Sequence, residues 1–207
     1  MKERVDKLGI VTLVIAAGNV FAWIVNIAAG GGSIWGLFLS GGGYVKEAGE
    51  AAFQAVMFEH EWWRVLSCGY LHMGVFHLFF NVCALLIIGG KMEKYLGHLK
   101  FFLFYHSGIM ITALLWCFIF KNGSMAGASL GIFVVFGMYT VLSRLDKSWR
   151  AFSLSGAQKN YLIAYIVIGC LLGMGTIVVH LIGFGIGVSF GSLCVRQKYQ
   201  HFPDKRD

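Results

Sequence analysis

The chain has 207 residues, of which 57% are hydrophobic and only 13% are charged, and its formal net charge at neutral pH is +7. A soluble domain of average composition carries about 25% charged residues, so a soluble globular protein is excluded. The mean hydropathy is +0.71, and several apolar runs approach the roughly 20 residues that cross a bilayer. The composition therefore predicts an all-α polytopic membrane protein.

Six apolar segments are predicted along the chain. The first covers residues 8–29 and follows a charged start, residues 1–7, which we interpret as a retained signal anchor rather than a cleaved signal peptide. The other five are predicted at 70–90, 99–120, 126–143, 161–173 and 177–195, and a basic tail, 196–207, closes the chain. The chain, residues 1–207, is thus expected to form a single transmembrane domain.

The connection between the first two segments, residues 30–69, is long and apolar. Loops of more than ~12–15 residues are usually functional or disordered. This loop is rich in aromatic residues between 53 and 63, and Trp and Tyr favour the membrane interface. We therefore expect the loop to lie partly in the outer leaflet.

The basic residues indicate how the segments are oriented. Six alternating spans place 14 of the 17 Lys and Arg residues on one side, and only Lys46, Arg64 and Lys121 on the other. Since cytoplasmic loops carry an excess of Lys and Arg, both termini are predicted to be cytoplasmic. Membrane orientation thus explains the net charge, and no nucleic-acid partner is expected. The five cysteines show no metal-type spacing, and we interpret them as buried, inert thiols.

A run of small residues, 126–131, begins the fourth segment and contains Ser129. Such runs often serve close helix packing, but a serine held on a helix near one membrane surface is also a candidate nucleophile. Polar residues inside apolar segments are functional candidates because they are costly unless they have partners. The second segment carries His72, His77 and Asn81, and the sixth begins with His180.

The second, fourth and sixth segments all run from the outside inward under this topology, so their polar residues fall in the outer half of the membrane. A serine hydroxyl needs a base, and His180 is the natural one for Ser129. Asn81, His77 and the Ser129 backbone N–H are candidate donors to an oxyanion. The sequence has no carboxylate at this depth, which favours a Ser–His dyad over a triad. Gly183 and Gly187 are expected to pack on Gly127 and Gly131 and to bring the dyad together.

Polar residues inside a membrane are also compatible with two other types of site. A metal site at His72 and His77 is disfavoured because no third ligand accompanies them. A proton or ion pathway also uses intramembrane His and Asn, so a small transporter is an alternative. Such a protein would be indicated by an inverted repeat or by ionisable pairs along the whole path, and the sequence has neither. His98 and His106 receive no role.

Between Trp63 and Gly187 the chain resembles the rhomboid family of intramembrane serine proteases. The resemblance rests on five motifs in the family's order: Trp63-Arg64, His72-x4-His77-x3-Asn81, Glu93-x3-Gly97, Gly127-x-Ser129 and His180-x2-Gly183-x3-Gly187. Each motif alone is weak, but their order on the expected segments is specific.

The resemblance implies a six-helix bundle around a water-filled cavity open to the outside, with Ser129 as nucleophile and His180 as general base. His77, Asn81 and the Ser129 amide would form the oxyanion site, His72 would support the nearby loop, and Phe133 would pack beneath the catalytic histidine. The long loop with Trp63 and Arg64 would be membrane-embedded. The fifth segment would act as a lateral gate, and residues 174–176 would cap the site.

The expected activity is cleavage of single-pass membrane proteins near the outer face of a bacterial-type inner membrane, without metal or cofactor. A catalytically silent binder of membrane helices is the alternative within the family. Two residues depart from the family pattern: Leu130 stands where Gly is usual, and Val179 where a smaller residue is common. We expect both to affect efficiency and substrate preference rather than mechanism.

Overall fold

The structure, a computed structural model, describes residues 9–29, 43–171 and 173–201. The charged start, the first part of the long loop and the last residues of the basic tail lie outside this range. The described helices are α1 (Ile10–Ala28), α2 (Tyr44–Gly49), α3 (Phe53–Met57), α4 (Arg64–Ser67), α5 (Val75–Ala84), α6 (Gly90–Leu96), α7 (His98–Ile119), α8 (Ser129–Leu145), α9 (Gly156–Cys170) and α10 (Met174–His201). A π-helical turn, Leu85–Gly89, joins α5 to α6.

Four of the described helical stretches are long and apolar enough to cross a membrane: Ile10–Ala28, Val75–Leu96, His98–Ile119 and Met174–Gln200. Helix α8 is apolar but shorter, with 17 residues, and α9 has 15. The chain is therefore an integral membrane protein by the length and composition of its helices.

Helix α8 forms the centre of the molecule. Twelve of its 17 residues are buried, whereas only Leu162 and Tyr165 are buried among the 15 residues of α9. A helix that is apolar on all sides is expected at the centre of a bundle, because every face meets another helix. Ser129 begins this central helix, so the surrounding helices determine its environment.

The closest helix contact in the site region joins α8 and α10 through glycine. A Cβ atom added to Gly187 would lie 1.9 Å from the backbone oxygen of Val134, and one added to Gly137 would lie 2.1 Å from that of Phe184. Gly183 approaches the Leu130 carbonyl in the same way, at 3.0 Å. The two backbones are therefore in direct contact, as small residues at helix interfaces allow.

The prediction of which α8 residues these glycines pack on was wrong. Gly183 and Gly187 do not pack on Gly127 and Gly131, because residues 130, 134 and 137 form the face of α8 that meets α10. A Cβ on Gly131 would instead meet the Tyr105 ring at 2.5 Å, and Gly127 adjoins His77.

The described part of the long loop is ordered into short elements that support the start of α8. Strand β1 (Ala51–Ala52) pairs antiparallel with β2 (Ser124–Met125). The Gly127 amide also donates to the Cys68 carbonyl at 2.8 Å. The chain just before Ser129 is thus fixed to the loop by backbone hydrogen bonds.

Several boundaries differ from the prediction for local reasons. His72 does not lie on a helix, because the backbone at Gly74 is extended and α5 begins at Val75. Ser129 is the first residue of α8 rather than a turn inside it, since Gly127 has φ +149° and the chain pairs as β2 at Ser124–Met125. Helix α9 begins earlier than expected, where Ser155 and Gln158 form a capping box.

Two other predicted segment boundaries also differ from the structure. Residues 174–176 are the first turn of α10 rather than a connection, and α10 continues through the start of the predicted tail to His201.

Polar contacts join helices at the end of the molecule opposite Ser129. The buried Glu93 carboxylate accepts hydrogen bonds from the backbone amides of Val11 (2.9 Å) and Thr12 (2.7 Å), the Thr12 hydroxyl (2.6 Å) and the His98 ring. It therefore caps the N-terminus of α1, where backbone N–H groups lack intrahelical acceptors.

Asp146 forms a second such contact just after α8. Its carboxylate accepts from Lys198 of α10 at 2.7 Å, from Tyr95 and from Ser148. Burial by itself raises the pKa of the Asp146 carboxyl, but these hydrogen bonds outweigh burial and hold the pKa well below its usual range.

Candidate active site

Four of the predicted site residues line one cavity of about 230 Å³ among α5, α8, α9 and the first turns of α10. His77, Asn81, Ser129 and His180 all line it, together with Tyr165 and Thr176. These residues come from four helices that are distant in sequence. The fold thus brings together a hydroxyl, two imidazoles and an amide at a largely apolar cavity.

Ser129 lies at the N-terminus of α8, 7% exposed to solvent. Its amide is among the first N–H groups of the helix, which have no acceptor inside the helix. The N-terminal end of a helix also favours negative charge. A negative oxygen forming next to Ser129 would therefore meet both a hydrogen-bond donor and a favourable electrostatic potential.

His180 lies in the second turn of α10, 5% exposed to solvent. Its ring stacks on Phe133 with a centroid distance of 3.8 Å and an interplanar angle of 7°. Gly169 of α9 leaves space for the His180 ring, because a Cβ atom at residue 169 would lie 3.0 Å from His180 Cε1. These contacts fix the plane of the imidazole.

Both members of the predicted dyad are described, and no hydrogen bond joins the Ser129 hydroxyl to the His180 ring. His180 Nδ1 is buried and likewise has no partner among the described residues. Catalytic hydrogen bonds are often long in unliganded enzymes and shorten only with substrate. Ser129 and His180 thus line one cavity, but the hydrogen bond between the serine hydroxyl and the imidazole is not formed.

His77 presents a hydrogen-bond donor beside Ser129. Its Nδ1 atom accepts from the Met73 amide at 3.4 Å, so the neutral ring carries its hydrogen on Nε2. A Cβ on Gly127 would lie 3.2 Å from His77 Nε2 and 3.3 Å from Ser129 Oγ. The Nε2–H donor and the serine hydroxyl therefore converge at Gly127, where a larger residue would separate them.

Asn81 is 1% exposed and is held by two hydrogen bonds. Its Nδ2 atom donates to the His77 carbonyl at 2.7 Å, and its Oδ1 atom accepts from the Tyr165 hydroxyl at 2.9 Å. The amide retains one further N–H, which is available as a donor because Nδ2 carries two.

The supporting residues take different places. His72 contacts His77, with ring centroids 5.0 Å apart, and neither of its buried ring nitrogens has a partner among the described residues. Trp63 donates to the Ala48 carbonyl at 3.4 Å, and Arg64 donates to the Glu50 carbonyl at 3.2 Å. The Trp63-Arg64 pair therefore ties the loop together and does not line the cavity.

A second cavity of about 240 Å³ also reaches Ser129 and His77. Leu130 and Val179, the two departures from the family pattern, both line it. Lys46 and Glu50, which form an ion pair, also line it. Neither departure lines the first cavity.

Within the described ranges, no group of three or more His, Cys, Asp or Glu side chains could hold a metal ion.

Comparison with known proteins identifies the family of this chain. A model of the Rhomboid domain matches residues 59–197, which is more than half of the chain. The chain belongs to the rhomboid family. The matched range of this rhomboid chain includes all the residues around the first cavity.

The relatives of this rhomboid include one protein named as a protease and one named as inactive. RHOMBOID-like protein 7 of Arabidopsis thaliana is 28% identical over 154 residues, covering 72% of this chain and 48% of that protein. Rhomboid protease GluP of Bacillus subtilis (strain 168) is 40% identical over 85 residues, covering 40% of this chain and 17% of that protein. Inactive RHOMBOID-like protein 8 of A. thaliana is 28% identical over 130 residues, covering 62% and 36%. The rhomboid chain therefore spans about half or less of the length of these relatives.

Tyr165 and Gly169 were not predicted as site residues from the sequence of this rhomboid, whereas Thr176 belongs to residues 174–176, which were expected to cap the site. Tyr165 and Thr176 line the first cavity, and Gly169 adjoins His180. A signal for Tyr165 was present, because Tyr161 and Tyr165 are four residues apart and so share one face of α9. Nothing in the sequence marked Gly169.

Proposed function

We propose that this rhomboid is a serine endopeptidase that cleaves membrane proteins within or next to the bilayer. The observation that carries the proposal is the meeting of Ser129, His180, His77 and Asn81 at one cavity. The resemblance to a protein named Rhomboid protease GluP supports the same activity.

The proposed reaction uses Ser129 as nucleophile. Its oxygen attacks the scissile carbonyl carbon while His180 accepts the hydroxyl proton. The negative charge that develops on the carbonyl oxygen is stabilised by His77 Nε2–H, the free N–H of Asn81 and the Ser129 amide. His180 then gives its proton to the leaving amine as the C–N bond breaks, which leaves an acyl-enzyme on Ser129. Water attacks the acyl carbon while His180 accepts a water proton, and His180 returns that proton to the Ser129 oxygen as the acid product leaves.

The proposed setting is a membrane crossed six times, with both termini cytoplasmic and the cavity near the outer face of a bacterial-type inner membrane. The distribution of Lys and Arg supports this orientation. The proposed substrates are single-pass membrane proteins, since the site lies among apolar helices and a substrate must reach it through the bilayer.

Alanine substitution of the dyad tests the proposal. We expect Ser129→Ala and His180→Ala to abolish cleavage of a helical reporter substrate in liposomes. Ser189→Ala is the matched control, because its exposed hydroxyl bonds, among the described residues, only to the Gly185 carbonyl of its own helix. Full cleavage by Ser129→Ala contradicts the proposal, and loss of cleavage in Ser189→Ala points to a general effect on folding.

A second function is favoured by one specific relative, the protein named Inactive RHOMBOID-like protein 8. A silent rhomboid would bind membrane helices without cutting them. Ser129 and His180 are both present in this chain, which favours the protease. Capture of the reporter helix by wild-type protein, without cleavage over a long incubation, would support the silent binder instead.

A further inference from the structure

Helix α9 is attached to α5 through two tyrosine hydroxyls. Tyr165 donates to Asn81 Oδ1 at 2.9 Å, and Tyr161, one turn earlier, donates to the Phe80 carbonyl at 3.1 Å. The two bonds have the same donor type and lie on the same helix face. They differ in their acceptors, because one is a side chain of the proposed oxyanion site and the other is backbone.

The hydrogen bonds around Asn81 determine the orientation of its amide. The His77 carbonyl can only accept, so the Asn81 atom bound to it must be Nδ2. The atom facing Tyr165 is therefore Oδ1, which can only accept, and the Tyr165 hydroxyl must be the donor. The His77 carbonyl thus binds the nitrogen of the Asn81 amide, and the Tyr165 hydroxyl binds its oxygen.

We propose that Tyr165 is a positioning residue for the Asn81 oxyanion donor, an inference that rests on the proposed protease function. Tyr165 occupies the Asn81 oxygen and keeps the amide plane fixed, so that the free N–H stays directed to one place. Without the hydroxyl, the buried Oδ1 atom has no partner. It would then compete for the hydrogen of a neighbouring donor in the cavity, of which the Ser129 hydroxyl is one.

Tyrosine-to-phenylalanine substitutions separate this role from packing. The Tyr165 ring lies 6.0 Å from Phe133 and 6.3 Å from Phe136, and phenylalanine keeps these contacts. We expect Tyr165→Phe to lower kcat by about tenfold, the net worth of one buried hydrogen bond, with KM within about twofold of wild type. Tyr161→Phe is the matched control, and its kcat should stay within about twofold.

Equal losses in the two variants overturn the inference, because they would mean that both tyrosines only attach α9. A Tyr165→Phe protein with wild-type kcat overturns it as well.

A double-mutant cycle with Asn81 gives the second test. In an Asn81→Ala background, Tyr165→Phe should cause no further fall in kcat, because its only effect on catalysis passes through Asn81. Independent losses that multiply in the double variant contradict the inference. The labelling rate of Ser129 by a fluorophosphonate gives a readout that needs no substrate, and it should fall in Tyr165→Phe but not in Tyr161→Phe.

These measurements distinguish failure of the inference from failure of the proposed function. Wild-type protein that neither cleaves the reporter nor reacts with the fluorophosphonate overturns both. Wild-type protein that does both, with Tyr165→Phe unimpaired, overturns only the role of Tyr165.

Discussion

The contact between α8 and α10 is so close that adding one methyl group at Gly187 should strongly reduce activity. In Gly187→Ala the new Cβ would lie 1.9 Å from the Val134 carbonyl oxygen. A carbon and a carbonyl oxygen normally approach no closer than about 3.3 Å, so the helices must separate by about 1.4 Å. The obstacle is backbone on a buried helix, which no side-chain rotation relieves.

The displacement matters because Gly187 lies two helical turns after His180 on the same helix. Misplacement of a catalytic group by about 1 Å can cost a hundredfold in rate. We therefore expect Gly187→Ala to lower kcat/KM for a helical reporter by about a hundredfold and to lower the thermal unfolding midpoint.

Gly185→Ala is the control for this substitution. It makes the same change two residues away, where an added Cβ meets nothing within 4 Å. This variant should keep its activity and gain about 0.5–1 kcal/mol of stability, because alanine is favoured over glycine within a helix. Equal activity in the two variants would refute the proposed role of the helix contact.

Two further predictions concern the opposite end of the bundle. Glu93→Gln should lower the free energy of unfolding by about 2–4 kcal/mol, since charge-assisted bonds to Val11 and Thr12 become weaker or are lost. Thermal unfolding in detergent measures this, and an unchanged midpoint would contradict the capping role. Asp146→Asn should destabilise the protein at neutral pH. Because the folded-state pKa of Asp146 is lowered, its stabilising effect is present above about pH 4 and is lost as the pH falls further. The difference between the unfolding midpoints of wild type and Asp146→Asn should therefore shrink progressively as the pH falls below about 4 and should vanish only below the lowered folded-state pKa. A difference that stays constant as the pH falls below about 4 would contradict the ion-pair role.

The sequence predicted the members of the site better than its details. Hydropathy and charge located the apolar segments, because crossing a bilayer imposes a strong compositional constraint. The polar residues in those segments then stood out, and four of them line the same cavity: His77, Asn81, Ser129 and His180.

The parts that the sequence did not predict depend on tertiary contacts. Short β pairing and a positive φ at Gly127 set the start of α8 at Ser129, and neither leaves a periodic pattern in the sequence. The glycines of α10 were recognised as a packing face, but their partners on α8 follow from the rotation of that helix, which no pattern specified. The role of Tyr165 required the directions of two hydrogen bonds at Asn81.

The central claim is that Ser129 is a nucleophile activated by His180. The most direct measurement is the reaction of purified protein in detergent with a fluorophosphonate, followed by mass spectrometry of the modified residue. We predict labelling of wild-type protein at Ser129, no labelling of Ser129→Ala, and loss of labelling in His180→Ala while Ser189→Ala labels normally. Wild-type protein that stays unmodified at Ser129, or His180→Ala that labels at the wild-type rate, would contradict the claim.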